Sequence, residues 1–222
     1  MPSAQSGRHM EPVEILATHA APGGRPQPLA FYDGLLWVGC WDTARLYALD
    51  PTDWSVREAV ALPGKPYGIA PFEGALRLVI SLGDDDDRYL YRFVPGQPLG
   101  EEGRAACPDF TGSHLAANGS SLYLVQQSNR RIVRLDGSGT ITQEIPLVTR
   151  CAGLGFADGR AYVLAADADF DVVEFAAFDL DAPTPTVTTL APMDVEARAL
   201  AFDGNAWWTS YRERNEIVRF RA

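Results

Sequence analysis

The chain has 222 residues, 46% of them hydrophobic and 22% charged, and 19 basic against 29 acidic residues give a formal charge of −10. That length can bury a substantial core and reads as one domain. The acidic balance argues against a duplex nucleic-acid binder, which needs clustered cations to displace phosphate counterions, and against a polybasic membrane-surface protein, and no apolar run approaches the roughly 20 residues that span a bilayer.

Residues 1–9 are polar and run into a second methionine, Met10. They lack the apolar core and small-residue cleavage site of a secretory signal and read as an expression leader, so the domain is expected over residues 10–222. Cys40, Cys107 and Cys151 are odd in number and widely spaced. They fit neither a zinc site nor a disulfide framework, and a reducing cytoplasm is the expected compartment.

One unit recurs along the rest of the chain. It begins as Pro28-Leu-Ala-Phe-Tyr-Asp-Gly34, Gly68-Ile-Ala-Pro-Phe-Glu-Gly74, Ser113-His-Leu-Ala-Ala-Asn-Gly119, Gly153-Leu-Gly-Phe-Ala-Asp-Gly159 and Arg198-Ala-Leu-Ala-Phe-Asp-Gly204, with turn glycines 40, 45, 40 and 45 residues apart. Asp-Gly or Asn-Gly at four of these turns supplies the positive φ of a tight hairpin. After each glycine comes an apolar strand such as Leu35–Val38, Leu76–Val79, Leu122–Val125 or Ala161–Leu164. A second strand with period-2 alternation follows at Arg45–Leu49, Arg88–Phe93, Arg131–Leu135 and Glu216–Phe220. Val56–Val60 and Ile141–Ile145 fit a further strand, and no capped helical stretch intervenes. Four strands per 40–45 residues, five times over, predict an all-β, five-bladed β-propeller. The last unit stops after its third strand, so Val13–Ala17 is expected to complete it and close the ring near residues 13–18, which leaves no sheet edge unpaired. A sandwich or barrel of many short strands is the competing fold.

The segments Leu115–Asp136 (LAANGSSLYLVQQSNRRIVRLD) and Leu200–Phe220 (LAFDGNAWWTSYRERNEIVRF) resemble blades of the SMP-30/gluconolactonase and NHL-repeat propellers. Five blades are also similar to the propeller type of glutaminyl-peptide cyclase. The resemblance implies a propeller fold and, through its lactonase members, hydrolysis of a lactone or ester. Those members hold Ca²⁺ in the channel through acidic and amide residues where the inner strands begin. The corresponding positions here, Gln27, Tyr67, Ser113 or His114, Cys151 or Ala152, and Arg198, do not supply that ligand set, so no cofactor is expected.

In a four-stranded blade, the entry to the inner strand and the loop between the second and third strands emerge on one face, which gathers five of each at the channel mouth. His114 is the histidine expected there; it either serves as an acid or base or hydrogen-bonds between blades. Lys65, Arg150 and Arg198 enter from three blades and either converge on a carboxylate or phosphate or fold outward onto nearby acids. Glu196 is a candidate base or arginine partner, and Cys151 a candidate nucleophile or an inert buried thiol. Gln27, Trp41, Tyr67 and Tyr211 complete the candidate substrate-binding set, with Phe170 as a further wall residue. Asp84–Asp87 reads as a solvated loop. Asp167, Asp169 and Asp171 alternate but lack the glycine and distal glutamate of a calcium loop.

Three functions follow from these residues. One is an enzyme acting at the channel mouth on a small polar, carboxylate-bearing substrate, as a lactone or ester hydrolase or a metal-independent lyase, cyclase or isomerase. Another is a non-catalytic module binding a ligand, or a protein through Trp207, Trp208 and Tyr211 as anchors. The third is a structural or lectin-like role.

Overall fold

The computed structural model describes residues 10–182 and 185–222; the expected leader lies outside the described residues. In chain order the strands are β1 (Glu14–Ala20), β2 (Pro26–Tyr32), β3 (Leu35–Cys40), β4 (Arg45–Leu49), β5 (Val56–Ala61), β6 (Pro66–Phe72), β7 (Ala75–Leu82), β8 (Asp87–Phe93), β9 (Ala105–Ala106), β10 (His114–Asn118), β11 (Ser121–Gln126), β12 (Arg131–Leu135), β13 (Ile141–Pro146), β14 (Arg150–Ala157), β15 (Arg160–Ala166), β16 (Val173–Asp179), β17 (Thr186–Met193), β18 (Ala197–Phe202), β19 (Trp207–Tyr211) and β20 (Glu216–Arg221). One short 3₁₀ turn, Pro108–Phe110, follows β9. No described helix is long and apolar enough to cross a membrane.

These strands form five antiparallel four-stranded sheets: β2 to β5, β6 to β9, β10 to β13, β14 to β17, and β18-β19-β20-β1. The inner strands β2, β6, β10, β14 and β18 touch one another in cyclic order, closing the ring of a five-bladed β-propeller. The N-terminal strand completes the last blade as expected, pairing from Glu14 with Arg221 to Ala20 with Glu216.

Turn chemistry accounts for the hairpins between first and second strands. Asp33-Gly34, Glu73-Gly74 and Asp158-Gly159 have positive φ at both central residues, the type I′ geometry whose twist matches that of the flanking strands. Alternation does the rest. The apolar residues of each blade form five clusters among the described residues, and each cluster lies between two adjacent blades; Trp37, Leu76 and Tyr91, for example, join the first blade to the second. Trp207 and Trp208 belong to such clusters, at 6% and 1% exposure. The expectation that they anchor a protein partner is therefore corrected: both rings are already buried against neighbouring strands.

Near the axis the inner strands approach too closely for side chains at some positions. A Cβ on Gly68 would lie 2.8 Å from the Leu115 Cβ and 2.9 Å from its backbone nitrogen, and one on Gly153 would meet three backbone atoms of Ala199 at 2.8–3.0 Å. Glycine at these two positions lets consecutive inner strands pack backbone to backbone.

Candidate functional site at the channel mouth

Four of the five inner strands carry a register irregularity near their entry: between Pro26 and Leu29, Pro66 and Gly68, Cys151 and Gly153, and Arg198 and Ala201. A bulge re-aims the side chains around it and leaves backbone groups outside the ladder. In β18, Ala199 takes φ 58°, and the freed carbonyls are capped from β19. Thr209 donates its hydroxyl to the Arg198 and Ala199 carbonyls at 2.9 and 3.0 Å, and Ser210 donates to the Arg198 and Gln27 carbonyls at 2.9 and 3.1 Å. Ser210 thereby ties the last blade to the first where the mouth begins.

His114 enters on the one inner strand with unbroken register, opposite Val125. Its side chain is 6% exposed and forms no hydrogen bond with another described residue. Burial, then the charges of Arg198 and Arg212, push its pKa down to about 3, so the imidazole is neutral near neutral pH. Arg198 donates to the Val195 and Ala197 carbonyls at 2.8 Å and lies over the Phe170 ring at 5.1 Å. Burial and the nearby Arg212 lower its pKa, and a guanidinium still stays protonated. Arg212 donates to the side-chain oxygen of the buried Gln27 at 3.4 Å and pairs with Glu213 at 3.0 Å.

Beside this centre lies an aromatic shelf carrying cations. The Trp41 indole N–H donates to the Pro66 carbonyl at 2.6 Å, and its ring centroid is 4.8 Å from that of Tyr67. Arg25 and Arg212 lie over Trp41 at 5.2 and 5.0 Å, and Arg88 lies over Tyr67 at 3.6 Å. The Tyr67 hydroxyl donates to Asp86 at 3.2 Å, and Arg88 pairs with the same carboxylate at 2.8 Å. Burial pushes the Tyr67 phenol up. For Asp86, burial is the largest single influence and acts upward; hydrogen bonds from Arg88, Ser81 and Tyr67 together with the Arg88 charge outweigh it and hold the carboxyl below its ordinary range. Trp41 and Tyr67 thus orient guanidinium groups and are not bare apolar walls.

Other candidates lie elsewhere, so the expected three-cation pocket is corrected. Lys65 stands before its strand, exposed and with no ion pair among the described residues. Arg150 is also exposed and lines a cleft of about 310 Å³ between the third and fourth blades, with Gln127, Arg130 and Asp167. Cys151 does not face the channel: strand alternation turns it into the core between those blades, where its thiol donates to the Gly153 carbonyl and burial pushes its pKa up to about 12. Glu196 is committed to Arg214, accepting from its backbone N–H at 3.0 Å and pairing with its Nε at 3.6 Å. Tyr211 is buried under Arg214, 4.2 Å away, and belongs to the core between the fourth and fifth blades. Of the acidic candidates only Asp86 joins the shelf; no group of three or more His, Cys, Asp or Glu among the described residues is arranged to hold a metal ion.

The residues that sequence reading passed over, Arg212, Arg25 and Arg88, all belong to entries or loops on the expected face. Their signal was position in the repeat. What hid them was that arginine in a polar loop looks solvent-bound until the opposite blade is in place.

No family model matches the chain, and no curated protein matches it. Solved structures do. Glutaminyl cyclase of Myxococcus xanthus aligns with a TM-score of 0.71 at 12% identity, over 95% of this chain and 98% of that one. A putative oxidoreductase (glucose dehydrogenase) from Thermus thermophilus aligns with a TM-score of 0.62 at 12% identity, over 92% and 99%. The PQQ-bound aldose sugar dehydrogenase of Streptomyces coelicolor aligns at 0.61 and 17% identity, over 90% and 78%. At such identities the likeness is one of fold, and at that level the resemblance read from the blade motifs holds: this chain is a five-bladed β-propeller similar to propellers that include enzymes.

Proposed function

We propose that the channel mouth binds a small carboxylate-bearing molecule and that the chain is an enzyme that turns it over. The observation that carries this reading is a neutral, buried imidazole at His114 with the charges of Arg198 and Arg212 acting on it. A neutral imidazole flanked by guanidinium groups resists protonation and serves best as a hydrogen-bond donor to an oxygen on which negative charge develops, while the two arginines stabilise that charge. Gln27, held by Arg212, adds an oriented amide. Catalysis by charge stabilisation fits a lyase, cyclase or isomerase, or the opening of a lactone or ester by water, and uses no cysteine nucleophile. Three free, buried cysteines fit work in the cytoplasm.

The alternative is a ligand-binding propeller without turnover. It is favoured by the commitment of Glu196 to Arg214, which leaves His114 without a free carboxylate partner among the candidates first considered.

Screening the purified chain for turnover of small lactones, esters and hydroxy acids, with His114→Ala and Arg198→Ala alongside, tests the reading. Turnover that falls at least a hundredfold in His114→Ala supports it. Turnover unchanged in both variants removes the mouth from the mechanism, and carboxylate binding without turnover selects the alternative.

A further inference from the structure

Resting on the reading that the mouth takes an anion, we propose that its ligand is a dianion, a dicarboxylate or a phosphomonoester, and not a monocarboxylate. Four guanidiniums meet there: Arg25 and Arg212 over Trp41, Arg88 over Tyr67, and Arg198, whose charge acts with that of Arg212 on His114. Two carboxylates answer them. Glu213 is shared by Arg212 at 3.0 Å and Arg25 at 3.9 Å, and Asp86 is taken by Arg88 at 2.8 Å. Arg198 donates only to backbone carbonyls and forms no ion pair among the described residues. Four cations less two anions, with a neutral imidazole between them, leave a surplus of two positive charges.

The other acids nearby do not cancel that surplus. Asp42, Asp84 and Asp85 are exposed and form no ion pair among the described residues, and Asp194 and Glu196 are held by Arg214. The guanidiniums are also short of acceptors: the Nε atoms of Arg25 and Arg88 are buried without a hydrogen-bond partner. Uncompensated cations packed together oppose folding, and the more so inside a chain whose other charges sum to a large negative value. A guest with two negative charges neutralises the cluster and offers acceptors to the Nη groups of Arg25 and Arg212, whose side chains are 42% and 23% exposed.

Calorimetric titration of the full chain with succinate, inorganic phosphate and propionate, at about pH 8 where phosphate is dianionic, reads this directly. At least one dianion should bind about tenfold tighter than propionate, since one further charge-assisted contact is worth about a factor of ten. Arg25→Gln and Arg88→Gln, each removing one cation of the shelf, should shrink that preference about tenfold while propionate affinity stays within about twofold. Preference for succinate assigns a dicarboxylate, and preference for phosphate assigns a phosphomonoester. Equal affinity for all three probes overturns the dianion and leaves the anion reading standing; no binding of any probe overturns both. Should a variant fail to fold, the salt dependence of wild-type binding decides, because a dianion must show a steeper slope than propionate and an equal slope overturns the proposal.

Discussion

His19 of the N-terminal strand stacks on Trp54 of the first blade, with ring centroids 4.0 Å apart and planes 15° from parallel. Trp54 in turn lies 6.1 Å from Trp208 of the last blade and donates its indole N–H to the Ala20 carbonyl at 2.8 Å. The seam that closes the ring is therefore held by an aromatic stack as well as by strand pairing. His19→Ala should lower the midpoint of thermal unfolding by about 2–4 °C, since such a stack contributes about 1 kcal/mol in a domain of this size. His19→Phe should restore most of it, and a melting curve for each variant checks this.

His114 makes stability depend on pH. Its folded pKa of about 3 lies below its ordinary value of 6.5, so between the two the unfolded chain binds the extra proton. Stability from this group is fully present above pH 6.5 and falls as the pH drops towards 3, by a total on the order of 4 kcal/mol. Denaturant midpoints of wild type and His114→Gln, measured from pH 7 to 4, should converge as the pH falls; parallel curves would mean that His114 is not buried in its neutral form.

Gly153 and Gly119 separate packing from backbone strain. A methyl on Gly153 meets the Ala199 backbone, which cannot rotate away, whereas Gly119 has open space around it and φ 57°. Gly153→Ala should cost about 2–3 kcal/mol, and Gly119→Ala about 1 kcal/mol from the left-handed conformation alone. Equal effects in urea titration would deny the close approach of β14 and β18.

The three thiols should be silent in the native protein. Cys40, Cys107 and Cys151 are buried and free, and burial pushes each pKa up to about 12. A chromogenic disulfide reagent at neutral pH should titrate none of them until denaturant is added, and then all three. Cys151→Ala should leave any turnover unchanged.

The blade pattern was legible because hairpins are local. The Asp-Gly turns, period-2 strands and fixed spacing each depend on neighbours a few residues away, and five copies of one pattern leave little room for another fold. His114 and Arg198 were legible as inner-strand entries for the same reason. Cys151 was misplaced because a one-residue irregularity beside Ala152 decides which face of β14 meets the channel.

The sequence by itself determined the number of blades, the turns and the closing strand, because each follows from periodicity and backbone preference within a single unit. Only the tertiary structure decided which charges meet at the mouth. Arg212 reaches Gln27 across 185 residues of chain, and Arg25 reaches Asn215 across 190. Such pairs depend on ring closure and on local bulges, which hydrophobic alternation does not encode.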